Sequence, residues 1–255
     1  MSKDTSIAWT NHTFNLVWGC TKVSPGCKNC YAEALSKRYG FSVWGENGQR
    51  RTFGAKHWAE PLAWQAAALK AGERRRVFCG SMCDWAEDHP TTNGERVKLW
   101  QTIKATPALD WLLLTKRPER LPECLPADWG DGWANVWMGT SIESGDYNYR
   151  ADSLRAVPAR VRFISYEPAL GPIDGIDLTR IHWLIFGGES GAGFRAPDGW
   201  QDWARAARDL CAKAGTAFFF KQSPGIRSGM GETLDGVETR QYPKPWPLDS
   251  QHCSV

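Results

Sequence analysis

Residues 135–165, NVWMGTSIESGDYNYRADSLRAVPARVRFIS, contain the pattern that decides the fold class. The apolar run at 135–141 predicts a strand, the segment 146–157 predicts a helix, and 161–165 predicts a second strand. A strand, a helix and a strand within about thirty residues form a βαβ unit, whose two strands run parallel. This stretch therefore predicts an α/β fold with a parallel sheet.

The same alternation extends along the whole chain. Further strands are predicted at 14–19, 77–82, 111–115, 182–187 and 216–220, and further helices at 29–39, 61–71, 94–106, 117–124 and 199–214. Such alternation, without a low-complexity linker, predicts a parallel (βα) barrel, a complete or partial TIM-like barrel of about six to eight units. Residues 1–222 are predicted to form this barrel, and the Gly- and Pro-rich residues 223–255 an irregular C-terminal tail packed on it.

The composition is that of an ordinary globular protein, with 42% hydrophobic and 23% charged residues in 255. No apolar run approaches the roughly 18 residues of a membrane-spanning helix, and the first residues contain no apolar signal segment. We therefore expect a cytoplasmic protein without membrane contact. The chain has 8 cysteines, and without an export signal these favour metal binding or catalysis over a disulfide framework.

The net charge of +3 is too small to indicate a nucleic-acid-binding protein by itself. Residues 50–76 differ from the rest because they contain seven Lys or Arg against two Glu, a local charge of +5. This basic strip has two interpretations. It is either a surface that contacts phosphates or a solvated helix face with its flanks.

Polar side chains collect where the predicted strands end. In a parallel barrel the carboxyl ends of the strands line the active-site mouth. Each residue alone could be a helix cap, but six such ends together predict one shared site. The residues are Cys20, Ser81 with Asp84, Thr115 to Arg117, Ser141 with Glu143, Ser165 with Glu167, and Glu189 with Ser190.

The stretch CTKVSPGCKNCY at 20–31 is the sharpest feature of the sequence. Cys20 is predicted to end a strand, and Cys30 to begin a helix whose N-terminus stabilises thiolate charge. The residues alone leave three alternatives open. They are a structural zinc site, which requires four ligands; unligated or redox cysteines; and an iron–sulfur cluster held by three cysteines with one iron open.

Several motifs, in order and spacing, resemble the phage-associated three-Cys-motif proteins, a family similar to radical S-adenosylmethionine (SAM) enzymes. The resemblance extends over residues 7–243. It is carried by WGCTKVSPGCKNCYAE, VFCGSMCDW, LLLTKRPERL, NVWMGTSIES, RFISYEPALGPI, WLIFGGESG and FFFKQ.

The resemblance implies that Cys20, Cys27 and Cys30 ligate a [4Fe–4S] cluster whose open iron binds the amino and carboxylate groups of SAM. An electron passed to SAM would generate a 5′-deoxyadenosyl radical, which abstracts hydrogen from a substrate. The spacing here is C-x6-C-x2-C, whereas the commonest radical SAM pattern is C-x3-C-x2-C.

Gly187-Gly188-Glu189-Ser190 resembles the glycine–glycine–glutamate element that receives the SAM amino group in radical SAM enzymes. It follows the sixth predicted strand here instead of the second, so binding of substrate and a plain turn are alternatives. Ser81 and Asp84 follow the second strand and are the positional alternative for the amino group. The predicted cofactor-binding set is Tyr31, Ser81, Asp84, Ser141, Gly187, Gly188, Glu189 and Ser190.

Glu167 and Lys116 are the predicted catalytic residues. Glu167 precedes Pro168, so its backbone is extended and its carboxylate is able to face the barrel mouth; structural pairing with an arginine is the alternative. Lys116 is predicted to bind a phosphate or carboxylate, or else to cap the following helix. Cys79 and Cys83 are interpreted as small buried residues, with a second metal site or a fourth cluster ligand as the alternative.

The resemblance implies a radical SAM enzyme. The phage association of the family, the basic strip and the many aromatic residues, which can stack on bases, favour one that modifies or repairs a nucleic-acid base or nucleotide. An electron donor is implied, and a protein partner is a further candidate. The alternative is a non-catalytic barrel that keeps an iron–sulfur cluster or zinc and binds DNA or a protein.

Overall fold

The computed structural model describes residues 5–244, which contain seven β-strands in one parallel sheet. The strands pair in chain order from β1 to β7, so β1 and β7 lie at opposite edges. Trp9, just before β1, nevertheless lies 6.1 Å, ring to ring, from Trp183 of the sixth strand, because the sheet curls into a half-barrel. The strands are β1 (His12–Phe14), β2 (Arg75–Cys79), β3 (Leu109–Thr115), β4 (Val136–Ser141), β5 (Val161–Tyr166), β6 (Trp183–Gly187) and β7 (Ala217–Gln222).

Helices connect the successive strands except β5 and β6, which are joined by residues 167–182 without a helix. The predicted α/β fold, a partial parallel barrel, is confirmed. No helix among residues 5–244 is both long and apolar enough to cross a membrane. The helices are α1 (Tyr31–Arg38), α2 (Ala55–Ala71), α3 (Pro90–Lys104), α4 (Leu121–Cys124), α5 (Tyr149–Ala156) and α6 (Trp200–Ala214).

Side chains alternate along each strand between two cores. Trp111 and Leu113 of β3 belong to the larger core under the helices, while Leu112 faces the inside of the half-barrel. Gly139 leaves room for the Phe163 ring, since a Cβ at Gly139 would lie 2.2 Å from that ring. The inner core, which we call the aromatic floor, consists of Trp9, Phe78, Leu112, Trp137, Val161, Phe163, Trp183, Ile185 and Phe219.

The prediction for the first strand was wrong. β1 ends at Phe14, and Cys20 therefore lies in the following loop and does not end a strand. Leu16 and Val17 are apolar because the loop itself is buried, and the side chain of the buried Asn15 accepts a hydrogen bond from the Met82 backbone N–H at 2.7 Å. A buried loop and a buried strand have the same apolar signature in sequence.

Two helices begin earlier than predicted. α2 starts at Ala55, with Pro61 inside it, whereas the sequence favoured Pro61 as a first helical residue. α3 starts at Pro90, and the side chain of His89 accepts a hydrogen bond from the Thr91 N–H at 3.2 Å. The helix therefore begins directly after this cap, four residues before Gly94, its predicted first residue.

Residues 223–244 follow β7 and pack across the half-barrel. Tyr242 lies 5.2 Å from the Trp183 ring, and Gly225 forms a bridge with Ser190. The division into a barrel at 1–222 and a tail at 223–255 stays a prediction, and residues 245–255 lie outside the described part of the chain.

Candidate active site

A cavity of about 750 Å³ opens at the carboxyl ends of the strands. Its wall includes Thr115 of β3, Ser141 of β4, Ser165 of β5 and Lys221 of β7. The predicted site residues that line it are Cys20, Cys27, Cys30, Tyr31, Ser81, Asp84, Lys116, Ser141, Glu167, Gly188, Glu189 and Ser190. Gly187 is not among the lining residues.

The three cysteines of the loop reach this cavity from different local structures. Cys20 lies in the loop after β1, Cys27 ends a 3-10 turn (Pro25–Cys27), and Cys30 is the N-cap of α1, as predicted for a residue that begins a helix. All three are half-buried free thiols. Among residues 5–244, no three His, Cys, Asp or Glu side chains surround one point as a single metal ion would require. Three thiols at the wall of an open cavity fit the donor set of an iron–sulfur cluster.

Burial shifts the pKa of two thiols of the cysteine loop, those of Cys20 and Cys30. Burial, with the neighbouring carboxylates of Asp84 and Glu87, raises the pKa of Cys20, although Arg117 opposes this shift. Burial also raises the pKa of Cys30, against the backbone N–H groups at the start of α1. The Cys20 and Cys30 thiols are therefore protonated in the absence of a cation, and a bound metal would displace their protons.

Arg117 connects Cys20 to the loops that follow β2 and β3. Its Nη1 lies 3.9 Å from Cys20 Sγ and donates to Asp84 Oδ2 at 2.8 Å, while its Nη2 donates to the Thr21 carbonyl at 2.8 Å. Asp84 also accepts from Thr115 Oγ1 at 2.6 Å and from the Lys116 N–H at 3.0 Å. Both oxygens of the Asp84 carboxylate are thus engaged by protein donors.

Glu143 joins Lys116 to the cysteine loop. Its Oε1 accepts from Lys116 Nζ and from Ser24 Oγ, each at 2.6 Å, and its Oε2 accepts from Arg150 at 2.9 Å. Glu143 is 1% exposed. Lys116 is thereby held by an acidic partner at the cavity wall.

Glu189 is paired in a similar way. Its Oε2 accepts from Asn29 Nδ2 at 3.0 Å and from Arg195 Nε at 2.8 Å, and Arg195 Nη2 donates to Oε1. Burial alone would raise the pKa of Glu189, but the hydrogen bonds from Arg195 and Asn29 outweigh it and lower that pKa. Glu189 is an ionised carboxylate whose oxygens are already occupied.

Glu167 lines the same cavity and is paired with Lys221. Lys221 Nζ donates to Glu167 Oε1 at 2.6 Å, and Ser165 Oγ donates to Oε2 at 3.0 Å. A Cβ at Gly187 would come within 2.3 Å of Glu167 Oε1. Gly187 therefore makes space for Glu167, and Glu167 pairs with a lysine, not with an arginine.

Three further predicted cofactor-binding residues make different contacts: Tyr31 and Ser81 form hydrogen bonds, and Gly188 packs against the backbone. Tyr31 is 57% exposed, and its hydroxyl donates to the Ser81 carbonyl at 2.6 Å. Ser81 Oγ accepts from Asn15 Nδ2 at 2.9 Å. Gly188 packs against the chain that returns from β7, since a Cβ there would lie 2.1 Å from Pro224 N. Tyr31 and Ser81 are thus joined by a hydrogen bond, and Gly188 lines the same cavity.

Cys79 and Cys83 are both buried in the core under the helices. Only Cys83 also lines the cavity, and its Sγ lies 3.7 Å from Asn15 Oδ1. Burial raises the pKa of both thiols. Cys124 and Cys211 are buried in the same core as Cys79, and Cys253 lies outside the described residues.

The basic strip at 50–76 is not one surface, which corrects the phosphate interpretation. Arg50 is 5% exposed and donates to Glu87 and to three backbone carbonyls. Arg74 pairs with Asp110 at 2.8 Å. Arg75 and Arg76 begin β2, at the end of the sheet away from the cavity. A local charge count cannot distinguish paired buried arginines from free surface ones.

Sequence reasoning missed the partners of the site residues, namely Ser24, Asn29, Arg150 and Arg195. Asn29 and Ser24 lie within the cysteine stretch, so their position in the sequence could have marked them as site residues. No comparable signal marks Arg150 or Arg195, whose importance depends on contacts with Glu143 and Glu189.

The curled parallel half-barrel, with its cavity at the carboxyl ends of the strands, resembles the fold of spore photoproduct lyase. The chain is similar to a solved cysteine-to-serine mutant of spore photoproduct lyase, with a TM-score of 0.50 and 15% identity over 87% of this chain and 58% of that chain. A double mutant of the same enzyme with bound AdoMet and dinucleoside spore photoproduct gives a TM-score of 0.49 and 15% identity, over 78% and 61% of the two chains. This chain spans about three fifths of the length of those proteins. At this identity the likeness concerns the fold alone.

The chain belongs to the family described as "Protein of unknown function (DUF5131)", whose model matches residues 4–243. No curated protein matches the chain.

Proposed function

We propose that this protein is a radical SAM-type iron–sulfur enzyme. The observation that carries the proposal is the common position of the Cys20, Cys27 and Cys30 thiols in one cavity, together with carboxylates and hydroxyls, at the carboxyl mouth of a parallel half-barrel. Active sites of parallel barrels lie at this end. We also propose the phage-associated three-Cys-motif character and a cytoplasmic location.

Cys20, Cys27 and Cys30 would hold a [4Fe–4S] cluster. When bound, this group supplies one electron to SAM, whose cleavage provides a 5′-deoxyadenosyl radical for hydrogen abstraction. The electron comes from an external donor. The Arg117 guanidinium, 3.9 Å from Cys20 Sγ, offsets part of the thiolate charge.

The SAM molecule would contact Tyr31, Ser81, Ser141, Gly188 and Ser190 at the wall of the cavity. Asp84 and Glu189 line the same wall, but their oxygens are engaged by protein donors. We therefore propose that they shape this wall, while Gly187 provides the space in which Glu167 lies.

Glu167 and Lys116 would act on the substrate. Glu167 is held by Lys221 and Ser165 at the cavity wall, so its Oε1 and Oε2 are positioned to accept or return a proton. Lys116 presents an ammonium group that would bind an anionic part of the substrate. Its pairing with Glu143 fixes the position of Nζ.

The substrate class that we propose is a nucleic-acid base or nucleotide. A cavity of this volume is in the usual range for ligand pockets, about 300–1,000 Å³. Its wall contains Trp9, Trp44 and Phe78, and Arg227 stands at the same cavity. Aromatic side chains stack on bases, and arginine contacts phosphate.

The test begins with protein purified without oxygen. We expect about four irons and four sulfides per chain, a brown absorbance, and 5′-deoxyadenosine after incubation with SAM and dithionite. Cys20→Ala, Cys27→Ala and Cys30→Ala should each abolish the colour and the product. Cys211→Ala, a buried cysteine outside the cavity, is the matched control and should keep both. Colourless protein with a single zinc would overturn the proposal.

The second candidate is a non-catalytic metal-binding barrel that binds DNA or a protein. The pairing of Asp84 and Glu189 with protein donors favours it, since a purely structural site needs no free carboxylate at the cavity. Iron retention without SAM cleavage, or an equal need for Cys83 in iron retention, would select this candidate.

A further inference from the structure

Three buried carboxylates contact the cysteine loop, each beside a different cysteine. Glu87 accepts from the Thr21 N–H at 2.7 Å, next to Cys20. Glu143 accepts from Ser24 Oγ at 2.6 Å, and this hydroxyl lies 3.8 Å from Cys27 Sγ. These two carboxylates follow strands β2 and β4.

The third contact completes the pattern. Glu189, which follows β6, accepts from Asn29 Nδ2 at 3.0 Å, next to Cys30. The three carboxylates thus come from alternate strands and reach the loop at three separate points. Glu87, Glu143 and Glu189 are 3%, 1% and 5% exposed.

Each carboxylate also has its own arginine. Arg50 pairs with Glu87 at 2.8 Å, Arg150 pairs with Glu143 at 2.9 Å, and Arg195 pairs with Glu189. A buried charge requires such a partner, and the arginine leaves other lone pairs of the carboxylate available to the loop. Charge-assisted hydrogen bonds of this kind are stronger than neutral ones.

The backbone of the cysteine loop packs closely against one of these carboxylates. A Cβ at Gly26 would lie 2.5 Å from Glu143 Oε1, so only glycine allows the backbone to approach this closely. Arg195 Nη2 also donates to the Pro25 carbonyl at 3.1 Å. The contacts therefore involve the middle of the loop as well as its ends.

We infer that Glu87, Glu143 and Glu189 are positioning residues that hold the cysteine loop in its ligating shape before any metal binds. This inference rests on the proposed function for the identity of the metal group, but the order of the metal-free loop does not depend on it. A site held in place by a surrounding shell binds its ligand without an ordering cost, in contrast to metal sites that fold only on binding.

The first test is amide hydrogen exchange on the full-length, metal-free protein. Glu87→Gln, Glu143→Gln and Glu189→Gln should each raise exchange about tenfold or more in the nearest part of the loop, because the lost bonds open that part locally. The affected parts are 20–23, 24–28 and 28–33 respectively. Glu119→Gln, an exposed acid after β3, is the control and should change nothing.

Two loop-side variants keep the test valid if a buried Gln prevents folding. Ser24→Ala and Asn29→Ala remove the donors but leave each carboxylate with its arginine. Both should raise local exchange, and after anaerobic reconstitution both should shift the cluster midpoint potential and its electron paramagnetic resonance signal. A merely structural role would leave potential and signal unchanged.

Unchanged exchange in both loop-side variants would overturn the inference. So would a normal potential and signal in a variant whose exchange is raised. Wild-type protein that takes up no iron would instead defeat the proposed function, and the exchange experiment on the metal-free chain would still decide whether the three carboxylates order the loop.

Discussion

The aromatic floor and the mouth of the half-barrel differ in their main kinds of side chain. The floor is apolar and packed, with Trp183 fully buried and its ring 6.0 Å from those of Trp137 and Phe219. The mouth contains thiols, carboxylates, lysines and hydroxyls around a cavity, and Trp9 and Phe78 of the floor also line this cavity.

Along the same strands, the floor therefore contributes mainly to stability, and the mouth provides the candidate site. Apolar side chains at the floor gain free energy by leaving water. Polar groups at the mouth cost free energy when buried unless each has a partner. The mouth residues therefore occur as pairs, such as Glu167 with Lys221 and Glu143 with Arg150, which is the arrangement expected of a site that binds ligands.

The largest expected effect is the loss of unfolding free energy when a residue of the floor is removed. Trp183→Ala should lower the unfolding free energy by about 3–5 kcal/mol, because it removes a fully buried ring. Cys27→Ala at the mouth should change that free energy by less than about 1 kcal/mol in the metal-free protein. Denaturant unfolding at 25 °C measures both, and equal losses would contradict the separation.

Next in size is the effect of Glu167 on the reaction. Glu167→Gln should lower the rate of substrate turnover about 100-fold or more, as loss of a general acid–base group does. Its melting temperature should stay close to that of the wild type, since Ser165 can still donate to the retained amide oxygen. Glu119→Gln serves as the control, and full activity of Glu167→Gln would exclude an acid–base role.

Basic residues at the two ends should differ in nucleic-acid binding. Replacing Arg227 and Lys28 near the mouth by Gln should weaken binding of a single-stranded oligonucleotide and reduce the salt slope by about 1.4, the value for two lost phosphate contacts. Replacing Lys70 and Arg75, which belong to the basic strip, should leave the slope unchanged. A larger effect from the second pair would restore the phosphate interpretation of that strip.

The smallest effect concerns acid stability at the floor end. Burial and the Arg162 charge lower the pKa of His182, whose Nδ1 accepts from the Arg162 N–H at 3.0 Å. Folded His182 stays neutral, so stability is complete above pH 6.5, where the unfolded histidine is also neutral, and falls as the pH decreases below that value.

This loss is at most about 1.4 kcal/mol per pH unit for one histidine. Unfolding measured at pH 7.5 and 5.5 should show a smaller difference in His182→Asn than in the wild type, because the asparagine oxygen still accepts the bond but does not titrate in this range. An equal difference in both proteins would exclude His182 as a source of the acid sensitivity.

Six of the seven strands were predictable from local sequence. Their apolar runs, such as WLLL at 111–114, are buried on both faces and end at polar residues. β1 was placed wrongly for two reasons. It has only three residues, and the apolar residues after it belong to a loop that is buried by contacts with distant segments. One of these is the pairing of Trp18 with Arg51.

The candidate site was predictable as a set of residues but not as a set of pairs. Cysteine spacing and the polar strand ends marked the lining of the mouth. Whether a carboxylate there is free or occupied depends on partners remote in sequence, such as Arg117 for Asp84 and Arg195 for Glu189. Charge counting failed for Arg50 for the same reason.

The alternation of strands and helices, the parallel barrel and the end at which the cysteines lie were all predictable, because they follow from local periodicity and chain order. The curl that stops at a half-barrel, and the choice of acids that hold the cysteine loop, depend on long-range contacts. Ser24 and Glu143 are separated by 119 residues, and Asn29 and Glu189 by 160. Such pairs form only when the curled sheet brings alternate strand ends close to the cysteine loop. A local sequence pattern contains no information about this proximity.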